Sequence, residues 1–153
     1  MIEPIEVSVD VPVGPLRAFA GFAELDAWWP RAYTWSGEAL ERMTIDLRPG
    51  GLCSELGPHG FRCDWGRVLT LEPGVELTFS WQIAPTRAPE PDPDRASRVR
   101  VTFAAHEDGG TRVTLEHDLF ARHGGGAAEY RAAMAAPAGW PLLLRHYADR
   151  LTP

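Results

Sequence analysis

From Met43 to Leu119 apolar residues recur at every second position, in short runs separated by tight-turn residues, and this pattern constrains the fold most. Met43, Ile45 and Leu47 alternate with Thr44, Asp46 and Arg48 before Pro49-Gly50-Gly51 turns the chain. A short run, 52–56, leads through Gly57-Pro58-His59-Gly60 into a longer one, 61–71, and Pro73-Gly74 opens the next, 75–84. There Val75, Leu77, Phe79, Trp81 and Ile83 share a face. Two further runs, 98–106 and 111–119, flank Asp108-Gly109-Gly110, a hairpin signal. Strands joined by hairpins predict an antiparallel meander, since parallel neighbours need long crossovers.

The flanks complete the plan. Ile5, Val7, Val9 and Val11 alternate with polar residues in a first strand. Pro12 and Pro15 end it and suit a helix start, and Leu16, Phe19, Ala20 and Ala23 follow at helical spacing over 13–21. A brief second turn, 24–28, closes before Pro30. Near the carboxy end Trp140, Leu143, Leu144, Tyr147 and Leu151 form one stripe of a helix over 137–151, with Arg145, His146, Asp149 and Arg150 opposite. The predicted order is strand, two short helices, six strands, long helix: an α+β helix-grip fold, with a curved antiparallel sheet of about six to seven strands around the terminal helix. With 44% apolar residues in 153, the chain fits a single domain, 1–153.

Two segments break the pattern. Residues 85–96 hold Pro85, Pro89, Pro91 and Pro93 among charges, which predicts an elongated, mobile hairpin tip whose 88–94 portion could be deleted without loss of stability. The other reading of those prolines is a ligand for a protein partner. Gly124-Gly125-Gly126 predicts a flexible approach to the last helix.

Charge excludes several functions. The 15 basic residues, all arginine, stand against 21 acidic ones, for a net charge of −6. Such a chain is a poor match for nucleic acid or an anionic membrane surface. The absence of lysine excludes a Schiff base or a phosphate-loop lysine. No apolar run approaches the ~18–20 residues of a membrane span, and Met-Ile-Glu-Pro-Ile-Glu lacks the cations of a signal peptide. A cytoplasmic protein is expected.

Motifs for metal, dinucleotide or serine-hydrolase chemistry are lacking, so neither cofactor, metal nor catalytic set is assigned. If 57–60 is a four-residue loop, Leu56 pairs with Phe61, and Cys53 and Cys63 fall on opposite sides of the sheet as reduced thiols. Polar residues on apolar faces carry more information. Arg67 interrupts Phe61, Cys63, Trp65, Leu69 and Leu71, and His117 interrupts Val113, Leu115 and Leu119. Each reads either as structural (Arg67 at the sheet rim, His117 in the core) or as an orienting group in a ligand cavity. Among the tryptophans, Trp65, Trp81 and Trp140 point inward, while Trp28, Trp29 and Trp35 lie in the helix-to-strand connection, where a gate or a self-association patch would fit.

The residues also resemble a known family. Trp29-Pro30, Arg48-Pro49-Gly50-Gly51, Trp65-Gly66-Arg67-Val68, Pro73 followed by Leu77-Thr78-Phe79-Ser80-Trp81, the stretch Gly110 to His117 leading to Phe120, and Gly139-Trp140 occur in that order across nearly the whole chain. In this the sequence is similar to the bacterial homologues of the heat-shock-chaperone ATPase activator, in the START-like, SRPBCC superfamily. The long 85–96 segment departs from that pattern. The resemblance implies a cavity between sheet and terminal helix that holds a small hydrophobic molecule. Trp65, Arg67, Phe79, Trp81, His117, Trp29, Trp35 and Trp140 are the candidate ligand-binding residues. A non-catalytic binding module is the first expectation, with a homodimer left open. A pocket enzyme resembling polyketide aromatases and cyclases, and a chaperone-interacting protein, are the alternatives.

Overall fold

Seven antiparallel strands form one curled sheet in the computed structural model, which describes residues 2–153. They are β1 (Ile5–Val11), β2 (Arg42–Ile45), β3 (Leu52–Leu56), β4 (Arg62–Glu72), β5 (Glu76–Trp81), β6 (Ser97–Ala105) and β7 (Thr111–Asp118). Their spatial order is β1-β7-β6-β5-β4-β3-β2. The six later strands therefore run as a meander, and β1 returns to pair with β7 from Ile5↔His117 to Val11↔Thr111. Helices α1 (Pro15–Ala23) and α2 (Leu25–Trp28) follow β1. The carboxy end carries α3 (Ala127–Ala135) and α4 (Trp140–Leu151). This is the predicted helix-grip architecture.

α4 buries the predicted stripe: Trp140, Leu143, Leu144, Tyr147 and Leu151 are all buried. Pro141 occupies its first turn, where the missing N–H leaves no bond unmade. The Tyr147 hydroxyl donates to the Ala18 carbonyl at 2.6 Å and ties α4 to α1. Phe22 meets Trp28, Phe79 and Tyr147 at ring separations of 5.2–6.4 Å, so the two small helices fill the space between α4 and the sheet.

Several local expectations are corrected. The glycines at 124–126 lead into a helix, α3, and the final helix begins at Trp140 rather than 137. α3 buries Ala127, Tyr130 and Met134 at spacings of three and four residues. Gly139 makes the break between the helices, because a Cβ there would stand 2.2 Å from the Met134 carbonyl oxygen. The fifth strand ends at Trp81, and Val75 sits exposed in the turn before it.

The largest correction concerns β4. Leu56 pairs with Arg62, not Phe61, so Glu55 opposes Cys63. The register then shifts: Ser54 opposes Asp64, but Cys53 opposes Gly66, leaving Trp65 as an extra residue on β4. A second extra residue, Leu69, lies between Val68↔Phe79 and Thr70↔Thr78. Each bulge inverts the alternation and bends the strand. Cys63, Trp65 and Val68 consequently face the core, whereas Arg67 and Leu69 face solvent. Cys53 and Cys63 both point inward as free thiols, flanking Glu55 rather than lying on opposite sides.

The proline-rich segment is likewise not a detached tip. It folds back on the end of β5 through Glu90 N–H to Gln82 O at 2.9 Å, Ala84 N–H to Ala88 O at 2.8 Å, and a bridge between Ile83 and Pro89. Arg87 at its turn adopts a left-handed backbone, φ 72°.

Candidate functional site

The inner ends of β3, β4 and β5, the 29–35 connection, the 83–87 turn and the α3–α4 junction enclose a cavity of about 510 Å³. That volume lies in the ~300–1,000 Å³ range of small-molecule sites. Trp29, Trp35, Trp65 and Trp81 line it, with Met43, Ile83, Met134 and Leu143 as further apolar wall. The bulge at Trp65–Gly66 accounts for the position of Trp65. Trp81 is the hub, 5.5 Å from Trp65 and 6.3 Å from Trp29 by ring centroid. The Trp81 indole donates to the Tyr130 hydroxyl at 2.7 Å, which in turn donates to the Ile83 carbonyl at 3.0 Å. Burial pushes the Tyr130 phenol above its ordinary pKa, so it stays a protonated donor at neutral pH.

Two hydrogen bonds cross the mouth. Tyr33 Oη donates to the Ala138 carbonyl and Trp35 Nε1 to the Arg87 carbonyl, each at 2.9 Å. The tryptophan-rich connection is thus fastened to the α3–α4 junction on one side and to the proline-rich segment on the other.

Four of the eight residues expected from sequence, Trp29, Trp35, Trp65 and Trp81, come together here. Arg67, Phe79, His117 and Trp140 do not line the cavity. Arg67 is turned outward by the bulge, and its guanidinium donates to the Gly50 carbonyl at 2.8 Å. Phe79 packs edge-on behind Trp65 at 6.0 Å. His117 is fully buried, and Trp140 Nε1 donates to its Nδ1 at 2.9 Å.

That bond fixes a chain of donors. An indole N–H only donates, so His117 Nδ1 accepts and a neutral ring carries its hydrogen on Nε2. Nε2–H then donates to Ser97 Oγ at 2.7 Å, leaving the serine hydrogen for His123 Nε2, also at 2.7 Å. Burial, and secondarily His123, holds the His117 pKa well below the usual histidine value. Burial lowers His123 too, with Glu90 opposing and Arg95 adding to the effect.

Glu55 and Arg87 also line the cavity, and the sequence reading missed both. Glu55 is completely buried, and its two carboxylate oxygens accept the backbone N–H groups of Trp35 (3.1 Å) and Ser36 (2.8 Å). Its position two residues after Cys53, an acid on the inward face of a core strand, was the available signal. Arg87 lies over the Tyr130 ring at 5.1 Å, with Nη1 3.7 Å from the Met134 sulfur. Among the described residues no group of three or more His, Cys, Asp or Glu gathers as a metal site, and no helix is long and apolar enough to cross a membrane. The chemistry on offer is an indole-walled cavity with one anchored carboxylate and one guanidinium among its lining residues.

Solved structures give close parallels. The chain is similar to the anthrahydroquino-gamma-pyrone synthase Txn09, solved as a complex with SUM, at 31% identity over 97% of both chains and a TM-score of 0.67. It is similar to CalC, a self-sacrificing resistance protein from Micromonospora echinospora, at 26% identity, 97% coverage of this chain and 93% of that one, and a TM-score of 0.68. DynU16, from the dynemicin biosynthetic locus, shares the fold at 17% identity and a TM-score of 0.61, with 99% of this chain covering 48% of that one. No curated protein sequence matches. The profile of the family described as Activator of Hsp90 ATPase homolog 1-like protein matches residues 17–151. Sequence and fold agree, and the chain belongs to the Activator of Hsp90 ATPase homolog 1-like family.

Proposed function

We propose that this protein is a pocket protein of the polyketide cyclase type, which takes up a flat, oxygen-bearing aromatic molecule and holds it for ring closure. The observation that carries this reading is the cavity wall: four indoles enclose a space large enough for fused rings, and Glu55 is among the lining residues. Burial of planar aromatic surface supplies affinity, and the rigid rings fix the bound geometry. Glu55 cannot swing freely, because two backbone N–H groups hold it. In this reading Glu55 takes the proton from a phenol whose oxygen attacks a side-chain ketone. The new C–O bond forms as the ketone π pair moves to its oxygen, which takes the proton back from Glu55; the resulting hydroxyl then leaves with the neighbouring α-hydrogen as one water and gives the pyrone. The 31% relative is named for a product of this class, which supports the choice over a purely apolar ligand.

A binding-only role is the second reading, favoured by the likeness to CalC, which is described as a resistance protein. One experiment separates the two. The purified protein is incubated with a hydroxyanthraquinone that carries a 1,3-diketone beside its phenol, and the products are followed by mass spectrometry. Cyclase function predicts loss of one water at a rate well above the protein-free control, strongly reduced in Glu55→Gln. Tight binding without turnover would support sequestration. Absence of both binding and turnover for any fused-ring aromatic would refute the pocket reading.

A further inference from the structure

The hydrogen-bonding groups around the cavity are unbalanced. Tyr33 and Thr34 donate their hydroxyl hydrogens to the Ala138 and Arg31 carbonyls, and both Glu55 oxygens accept backbone N–H groups. Donors are left over. The indole nitrogens of Trp29 and Trp65 are buried without a partner among the described residues. Arg87 has no carboxylate within ion-pair distance among those residues, although nine other pairs form. Arg87 is exposed, and among the described residues its guanidinium meets the Met134 sulfur at a long 3.7 Å and acts on the Tyr130 hydroxyl, so its other N–H donors face water and are free to meet a ligand.

Arg87 is also held in place at a cost. A non-glycine residue at φ 72° sits in a region L-residues rarely adopt, and here the Ala84–Arg87 turn and the Trp35 indole on the Arg87 carbonyl keep it there. The guanidinium is thereby stationed at the mouth, against the Tyr130 face.

We propose that Arg87 is a binding residue for an anionic oxygen of the ligand, so that the cavity selects acidic aromatics, carrying a carboxylate or phenolate, over neutral ones of the same shape. The proposal rests on the pocket reading above and adds ligand charge and orientation. The acidic oxygen sits at the mouth on Arg87, away from the buried Glu55 carboxylate, and the fused rings lie inward against Trp65 and Trp81. A guanidinium further serves as a planar, bidentate partner for a carboxylate.

The test compares anthraquinone-2-carboxylate with 2-(hydroxymethyl)anthraquinone by quenching of tryptophan emission. In the parent protein the carboxylate should bind about tenfold more tightly or better, the range for a hydrogen bond to a charged group. Arg87→Gln should reduce that preference to about threefold or less while changing the affinity for the alcohol by less than about twofold. Arg87→Gly removes both the guanidinium and the backbone strain, so it should lose the same preference without lowering the melting temperature. Equal affinity for the two probes in the parent, or equal losses for both in the variants, would overturn the proposal and leave the pocket reading intact. Failure to bind either probe would overturn both.

Discussion

Replacing Ser97 by alanine should be among the most damaging single-atom deletions in this protein. The Ser97 hydroxyl joins two imidazoles, receiving Nε2–H of His117 and donating to Nε2 of His123, at 2.7 Å each. His117 and Ser97 are at most 1% exposed and His123 is 4% exposed, so solvent does not replace the lost bonds. Removing the oxygen strands one donor and one acceptor, each costing about 1–3 kcal/mol when buried. The gap is one oxygen wide and too small for a water in place of the hydroxyl. A combined loss of about 3 kcal/mol is expected, near the lower half of the summed range because the two rings share a network. For a chain of this size about 1 kcal/mol corresponds to roughly 2–4 °C, so the melting temperature should fall by about 6–12 °C. Urea unfolding of S97A beside Ser8→Ala provides the check. Ser8 makes a comparable 2.9 Å bond to Thr114 in a half-buried position, where water can substitute. An S97A loss below about 1 kcal/mol, or one equal to S8A, would show that the donor chain through His117 is not holding β6, β7 and the 120–123 turn together.

The same two histidines set a pH dependence: both are held below the ordinary value in the folded state, while the unfolded chain binds protons near pH ~6.5. Stability is therefore complete above about pH 6.5 and lost as pH falls through it towards the folded-state values, with a slope of up to ~1.4 kcal/mol per pH unit for each histidine. A urea midpoint that stays level between about pH 7 and 5 would contradict this, and His123→Phe should reduce the slope by about one proton. Gly66→Ala should destabilise by about 1–3 kcal/mol and shift the Trp65 emission, the range for forcing an atom into a packed site. The added Cβ would stand 2.5 Å from the Ser80 carbonyl oxygen, so native-like stability in that variant would mean the β4 bulge is dispensable.

The meander and the terminal helix were legible because their signals are long. Five apolar residues on α4 and repeated period-two runs bounded by glycine and proline leave little freedom in the sheet order. The site was legible only in part because its residues depend on phase. Alternation carried from Cys63 through Leu71 puts Arg67 inward, and a single extra residue at Trp65 puts it outward. A glycine inside a strand is the local mark of such a bulge, and Gly66 was that mark. α3 was hidden differently. Its inward face is built of Ala127, Tyr130 and Met134 in an alanine-rich stretch, so apolar and polar sides differ little, and the glycines before it dominate the reading.

The proline-rich segment shows why composition alone misplaces a functional element. Prolines forbid helix interiors and interior strands, which is all that their density at 85–96 establishes. Docking depends instead on the residues between them. Backbone groups of Ala84, Ala88 and Glu90 close a hairpin onto Gln82, and the Gln82 side chain adds a bond to the Glu90 carbonyl at 3.2 Å. Arg95 holds Glu90 at 3.0 Å, and Arg87 reaches the Tyr130 face. Each of these contacts pairs a residue of the segment with residues 82–84 just after β5, with α3 or with another residue of the segment, and composition alone records no pairing. The rigid φ of proline then works in favour of order, since a hairpin whose chain has few alternative conformations loses less entropy on docking. A cavity whose mouth is formed by such a segment can alter its ligand preference by exchanging Arg87, without disturbing the sheet that supports it.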